Sequence, residues 1–455
     1  MASETPDYST LYRQHLARLD ADLTDAVERA GRAGVAVDGV IFHAGRAAVY
    51  HRDDEEIVFR TGFHYRRWVP PQGGPEHTVL GRPGRRPVVV RVVPNDFWHD
   101  TAPPEPSHWE AEVELHEVAS FDRVRAVLES VHGGSLARCA YFGNAPAAAA
   151  TLGVPESLIE PDALRWPLDW HRATKTDYEI ALTRVACEHA ARGHHRLAER
   201  FAAGDSERQL HWAYLEATDH LEFEIPYRTI LALDEKSAIL HYKHKRGAET
   251  GPGSVLLADA GAGHHGYAAD ITRTFVRDST DATFRSLVTA MDALERRLVA
   301  MVTPGRSYVD IHLECHRGLA DILVDHGIVR VGAEEAVDSR LTRVFMPHGV
   351  GHLMGLQVHD VGGHQRNPDG GVTEPPDDHV LRNTRTIEPG HLVTVEPGLY
   401  FIPMLLDPCR SGEHASAIDW TVVDRLIPLG GIRIEDDVVC TDESFDDLTR
   451  ALVDG

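Results

Sequence analysis

The stretch Val255-Leu-Leu-Ala-Asp259-Ala-Gly261-Ala-Gly263-His264-His265-Gly266-Tyr-Ala-Ala-Asp270-Ile-Thr-Arg-Thr-Phe275 separates two folds. Gly261, Gly263 and Gly266 spell G-x-G-x-x-G after a strand-like run, the dinucleotide fingerprint, which has to open a helix. The next residues, Tyr267 to Phe275, include Ile271, Thr272, Thr274 and Phe275, and these suit a strand. The competing reading is a β-hairpin whose connection is Gly261–Gly266. Folded symmetrically there, it sets Asp259 and Asp270 opposite one another on one face, with Cβ atoms about 4.5–5.5 Å apart. Two carboxylates that close raise one pKa unless a cation neutralises them. A pair on a solvated face is the plainer alternative, but both aspartates lie in otherwise apolar stretches, which favours a metal site.

Three further segments carry chemistry. Phe345-Met-Pro-His348-Gly-Val-Gly-His352-Leu-Met-Gly-Leu-Gln-Val-His359-Asp360 holds three histidines in twelve residues. Its glycines disfavour a helix and let imidazoles point into a cavity. Leu392-Val-Thr-Val-Glu396-Pro-Gly398 puts a carboxylate at the end of an apolar strand, where an unpaired charge is costly. Gly430-Gly-Ile-Arg433-Ile-Glu435-Asp-Asp-Val-Val439 alternates with period two, Arg433 and Glu435 on one side and Ile432 and Ile434 on the other. An ordinary amphipathic edge strand is the alternative there. G-x-S-x-G, H-E-x-x-H and G-x-x-x-x-G-K-[ST] are all missing.

The chain around these segments has 455 residues, most simply two domains. Hydrophobic residues make up 42%, enough for a buried core. Acidic residues outnumber basic ones 70 to 46, a net charge of −24, which argues against a nucleic-acid partner. The five cysteines include no close pair, which fits reduced, buried thiols in a cytoplasmic protein rather than a disulfide scaffold. The opening Met1-Ala-Ser-Glu-Thr-Pro-Asp7 has no signal-peptide character, and no apolar run reaches the ~20 residues of a membrane span, so no membrane partner is expected.

Periodicity predicts a mixed α/β N-terminal domain over residues 1–160. It has a helix from Tyr8 to about Ala30, a strand at 37–42, a hairpin from 78–80 and 87–93, and a helix at 121–131. The second domain, 161–455, opens with a Thr176/Glu179 capping box. Its expected elements include paired strands at 229–233 and 238–242, helices near 281–302 and 308–325, and strands at 391–396 and 431–440. Paired helices and antiparallel strands make this an α+β fold.

Taken in order, Asp259, Asp270, His352, Glu396 and Glu435 resemble the creatinase/aminopeptidase, or pita-bread, metallopeptidase family. Ala238-Ile-Leu-His241-Tyr242, Leu381-Arg382-Asn-Thr-Arg385, Gly398-Leu-Tyr-Phe-Ile402 and Gly430-Gly-Ile-Arg-Ile-Glu-Asp436 narrow the likeness to its bacterial Xaa-Pro dipeptidases (prolidases) and organophosphorus acid anhydrolases. The resemblance implies a C-terminal pita-bread catalytic domain with a smaller N-terminal domain. It implies two divalent metal ions on those five ligands, and the oxygen-rich set favours Mn2+. It implies hydrolysis of Xaa-Pro dipeptides by a hydroxide bridging the ions, with organophosphate hydrolysis as a side activity. By the same resemblance Glu396 is also the proton shuttle, His359 stabilises the oxyanion, and His348 touches substrate. His241, Arg382 and Arg433 then line the pocket, with Arg433 a fork for the substrate carboxylate. A homodimer is implied, with Asp53 or Asp54 of a partner subunit near the site. Two alternatives stay open: an aminopeptidase P acting on longer X-Pro peptides, and a non-catalytic pita-bread binding protein.

Overall fold

A computed structural model describes residues 6–70, 74–97, 107–376 and 380–454. The chain forms two compact units, residues 1–181 with 365–372, and residues 182–364 with 373–455.

The first unit is built on a five-stranded sheet. Its strands are β1 (Gly39–His43), β2 (Thr78–Gly81), β3 (Val88–Val92), β4 (Glu114–Val118) and β5 (Cys139–Phe142), in the spatial order β4-β3-β2-β1-β5. β2 and β3 form the expected antiparallel hairpin, while β3–β4 and β1–β5 are parallel. The helix α1 (Tyr8–Arg32) starts on Asp7, which caps Thr10 N, and α2 (Val124–His132) buries Val124 and Leu128 against Ile41, Leu80, Val88 and Val90. Each such side chain taken out of water stabilises the fold by roughly 1.5–3 kcal/mol.

The second unit carries the chemistry-bearing segments. The helix α3 (Asp177–Ala203) enters through the predicted capping box: Glu179 Oε2 accepts from Thr176 N at 2.9 Å, and Thr176 Oγ1 accepts from Glu179 N at 3.4 Å. The helix α4 (Glu207–Thr218) comes next, and then a three-stranded antiparallel sheet of β6 (Ile230–Leu233), β7 (Val255–Asp259) and β8 (Thr272–Val276), with β7 central. Alternation sorts its side chains. Leu231, Leu233, Leu256 and Ala258 pack against Leu197 and Phe201 of α3 and Leu210 and Tyr214 of α4. Ile230, Ala232 and Leu257 face the other way, onto Tyr242 and Tyr400. Asp259, two residues beyond Leu257, therefore shares the face turned from the helices.

On that face lie β9 (Leu392–Val395), β10 (Gly398–Tyr400), β11 (Gly431–Arg433) and β12 (Asp436–Cys440). β9 pairs with β12 and β10 with β11, both antiparallel. The isolated bridge Thr272↔Glu435 joins β8 to them. Among the described residues no helix is long and apolar enough to cross a membrane.

Three local expectations differ. Residues 238–242 are not a strand: Asp234, at φ +53°, opens a 3-10 turn over Asp234–Ala238, and β6 pairs with β7 instead. The turn is fixed because Asp234 Oδ1 accepts from Ser254 N at 2.7 Å and Val255 N at 3.0 Å. The single strand expected at 431–440 is divided: Gly431–Arg433 and Asp436–Cys440 are separate buried strands with Ile434 and Glu435 between them, and their polar members are buried by the neighbouring strands. The hairpin at 255–276 turns at His265–Gly266, not across the whole of Gly261–Gly266, because Gly263–His264 and Tyr267–Ala268 pair as short strands. That shifts the register by two: Asp259 faces Thr272, and Asp270 falls opposite Gly261. A two-residue shift keeps both aspartates on one face but makes them diagonal neighbours. A Cβ at Gly261 would lie 2.0 Å from Ala269 O, so only glycine fits that crossing.

Candidate metal centre

Two adjacent levels of the strands assemble the centre. At the first, Asp259 pairs with Thr272, and Thr272 with Glu435. Glu435 in turn stands opposite Glu396, because Val395↔Asp436 and Gly398↔Arg433 share one register on either side. At the second, Asp270 N donates to Asp437 Oδ2 at 3.0 Å, Asp437 pairs with Thr394, and Thr394 N donates to His352 O at 3.0 Å. The loop holding His352 is pinned to β9 by that bond and by Glu396 N donating to Val350 O at 2.8 Å.

All five expected ligands converge here. One donor atom each from Asp270, His352 and Glu435 lie within 4.8 Å of one another. His352 Nε2 is 3.5 Å from Asp270 Oδ2 and 3.7 Å from Glu396 Oε1. His352 Nδ1 is 3.0 Å from Leu353 O; donating there turns Nε2 to the carboxylates, and against the effect of burial Asp270 and Glu396 raise the ring's pKa, so a proton on Nε2 is what a cation would replace. Asp259 joins through Arg433, whose Nη2 donates to Asp259 Oδ2 at 2.5 Å, while Asp259 Oδ1 is buried with no hydrogen-bond partner.

Charge is unbalanced in this pocket. Burial, with help from Asp270 and Asp259, pushes Glu396 up to about 7 against the pull of His352 and Arg433. Burial, then Asp270, Glu396 and Asp259, pushes Glu435 well above the carboxylate range, and burial also raises Asp259 and Asp437. Buried carboxylates crowded around one arginine and one histidine, with a free oxygen on Asp259, are what a divalent cation neutralises.

The remaining expected residues fall around this core. His348 Nε2 lies 2.9 Å from Tyr400 Oη and its Nδ1 2.8 Å from Gly349 O. Burial, then Arg433, lowers His348 to about 4, so the ring is neutral: Nδ1 donates to the carbonyl and Nε2 accepts from the tyrosine. His359 is exposed, its ring edge-to-face with His352 at a centroid distance of 4.4 Å. Burial, then His352 and Arg382, lowers His359 to about 4, and the exposed His241 adds to this. Arg433 turns inward: besides Asp259 it donates from Nη1 to Tyr400 Oη at 2.8 Å and from Nε to Thr272 Oγ1 at 3.2 Å.

Four participants were not singled out in the sequence. Tyr227 Oη donates to Asp270 Oδ1 at 2.5 Å, and Thr272 Oγ1 to Glu435 Oε2 at 2.6 Å. Tyr400 links Arg433 to His348, and Asp437 holds the backbone of Asp270. Period two offered a signal for Thr272 and Asp437, each two residues beyond an expected ligand, Asp270 and Glu435; nothing near Tyr227 marks it.

Residues 181–442 match metallopeptidase family M24, and residues 10–170 match the Xaa-Pro dipeptidase N-terminal domain. The chain belongs to metallopeptidase family M24. It is 40% identical over 447 residues to the Xaa-Pro dipeptidase of Xanthomonas campestris pv. campestris, covering 98% of each chain. It is 38% identical over 446 residues to that of Stenotrophomonas maltophilia, covering 98% of this chain and 97% of the relative. Proline aminopeptidase P II from Yersinia pestis superposes with a TM-score of 0.70 at 23% identity, covering 97% of both chains. That last likeness supports the pita-bread fold. Within M24 this chain is a prolidase-like member, a metallo-exopeptidase that binds divalent metal.

Proposed function

We propose that this M24 member is an Xaa-Pro dipeptidase with a dinuclear centre on Asp259, Asp270, His352, Glu396 and Glu435. The observation that carries the activity is the identity of about 40% to Xaa-Pro dipeptidases over nearly the whole of both chains. The convergence of five hard-leaning ligands on one buried pocket supports the metal set. Four carboxylates and one imidazole favour Mn2+ over softer ions. Divalent cations bound there supply Lewis acidity, making a water nucleophilic near neutral pH and polarising the scissile carbonyl.

The chain's own groups do the rest. Glu396, the most exposed of the carboxylates at 18% and with a pKa near 7, accepts the proton of the attacking water and returns it to the prolyl nitrogen. That nitrogen carries no hydrogen of its own while it is part of the peptide bond. His359 stands beside His352 at the exposed side and donates to the developing oxyanion. His348, held neutral between Gly349 and Tyr400, contacts the substrate nearby. Arg382 and His241, exposed near His359, receive the substrate's free carboxylate, while Arg433, buried and bound to Asp259, Tyr400 and Thr272, holds Asp259 rather than the substrate.

The described cysteines are all free and buried, which supports a reducing, cytoplasmic setting. The hairpin of residues 48–57 exposes Val49, Tyr50 and Ile57 beside the charged turn His51-Arg-Asp-Asp54, which supports a homodimer.

Metal analysis tests the ligand set. Protein reconstituted with Mn2+ and desalted is expected to retain two equivalents per chain, and Asp259→Asn at most one. Two equivalents retained in Asp259→Asn, or one in the parent, contradicts the dinuclear assignment.

A further inference from the structure

The hairpin that bears Asp259 and Asp270 at its base carries a second cluster at its tip. His264 and His265 have ring centres 4.3 Å apart. His189, from α3, stands 5.8 Å from the His264 ring, and His220, just beyond α4, stands 5.7 Å from His189. The four imidazoles come from three separate stretches of chain.

Their nitrogens are not equally committed. His220 is spent on the backbone, with Nδ1 2.7 Å from Thr218 O and Nε2 2.9 Å from Gly263 O. His189 Nδ1 is buried with no hydrogen-bond partner. Burial lowers His189 and takes His264 to about 4, so both rings are neutral and carry a lone pair at pH 7. The turn itself is unusual. His265 at φ +46° and Gly266 at φ +90° form a two-residue connection, where Asn-Gly is the usual choice.

We propose that His189, His264 and His265 form a second metal site, taking one borderline transition-metal ion such as Zn2+, Ni2+ or Cu2+ and distinct from the carboxylate centre. An ion about 2.0–2.1 Å from an imidazole nitrogen sits about 3.2 Å from the ring centre, so two rings sharing a tetrahedral ion have centres about 5.2 Å apart. The His189–His264 spacing of 5.8 Å is close to that, and the His264 and His265 rings, at 4.3 Å, must part by about 1 Å. Among the described residues only Asp270, His352 and Glu435 already bring three donors within 4.8 Å, so the tip is not a preformed cage and binding there requires the His189, His264 and His265 rings to turn about their side-chain torsions. His220 anchors the carbonyl of Gly263 and so holds the turn toward α3. The two sites differ in hardness: an all-nitrogen set selects against Mn2+, and an oxygen-rich set accepts it. Occupancy at the tip would fasten the catalytic hairpin to α3.

The test uses the full chain, stripped by chelator and given one equivalent of Cu2+, with electron paramagnetic resonance as the readout. Nitrogen couplings from several imidazoles are expected in the parent and in His352→Ala. They are expected to be lost in the double variant His189→Ala/His264→Ala and weakened in the exposed single variant His265→Ala. Retention of Zn2+ in equilibrium dialysis should fall about tenfold or more in the double variant. Its Mn2+-dependent hydrolysis, measured without Cu2+ or Zn2+, reports that it is folded. Couplings and Zn2+ retention unchanged in both tip variants, or couplings lost only in His352→Ala, would overturn the proposal.

Discussion

Glu396 and Glu435 stand directly opposite each other across one antiparallel ladder, with Val395 paired to Asp436 on one side and Gly398 to Arg433 on the other. The backbone thus forces two buried carboxylates together, and only bound cations or protons relieve the repulsion. Replacing Glu435 by Gln removes a ligand while keeping the shape. Activity is expected to fall by 10²–10⁴ or so, in the range of a lost catalytic group. Thermal stability of the metal-free protein should rise, because a buried repulsion is gone. Steady-state hydrolysis and thermal melts check the pair, and a metal-free Glu435→Gln protein less stable than the parent contradicts it.

The same repulsion sets a pH dependence. Glu396 is raised from 4.5 to about 7, and Asp259 and Glu435 move in the same direction. A raised folded-state pKa means the folded protein holds the proton more tightly than the unfolded chain. That stability is complete below about pH 4.5 and is lost as pH rises to about 7. Melting temperatures of chelator-treated protein are expected to decline across this window. Added Mn2+ should remove the decline, since cations favour the ionised carboxylates.

Gly261 faces Asp270 at the narrowest point of the hairpin. The Cβ of Gly261→Ala would press on Ala269 O at 2.0 Å and push apart the strands that hold Asp259 and Asp270. We expect a loss of about 1–3 kcal/mol with a disproportionate loss of Mn2+ affinity. Denaturant melts and metal titration separate the two; unchanged affinity would show that the hairpin does not set ligand spacing.

Arg273 supports the centre from behind. Its Nη1 donates to Thr272 O at 3.0 Å and Glu435 O at 2.8 Å, and its Nη2 to Asp436 Oδ1 at 2.8 Å. Arg450 also reaches Asp436 and Glu295. Arg273→Met leaves a buried carboxylate short of a partner, at a cost of about 3–5 kcal/mol. Half-maximal activation should need about tenfold more Mn2+. Stability lost with activation unchanged would make Arg273 a structural residue only.

Asp259, Asp270 and Glu396 stood out because each is a carboxylate in an otherwise apolar stretch, and His352 because it belongs to a glycine-rich histidine cluster; the expected five-residue ligand set itself came from the ordered family resemblance. The hairpin register was not legible, since Gly261, Gly263 and Gly266 are all turn-compatible and only pairing of Gly263 with Ala268 shows where the chain reverses. At 431–440 period two set Arg433 and Glu435 apart from Ile432 and Ile434 but left a buried site and an edge strand both open; the burial of Arg433, Glu435 and Asp437 decides against the edge. Tyr227 and Tyr400 act through hydroxyl groups whose partners are remote in sequence, and local pattern holds no record of them.

The most direct test is hydrolysis by chelator-stripped protein with Mn2+ restored, comparing an Xaa-Pro dipeptide, the same peptide extended at its C-terminus, and a dipeptide without proline. Metal-dependent cleavage of the Xaa-Pro dipeptide alone is the predicted result. Cleavage of the extended peptide at a similar rate, or no cleavage by folded, metal-loaded protein, would contradict the dipeptidase assignment.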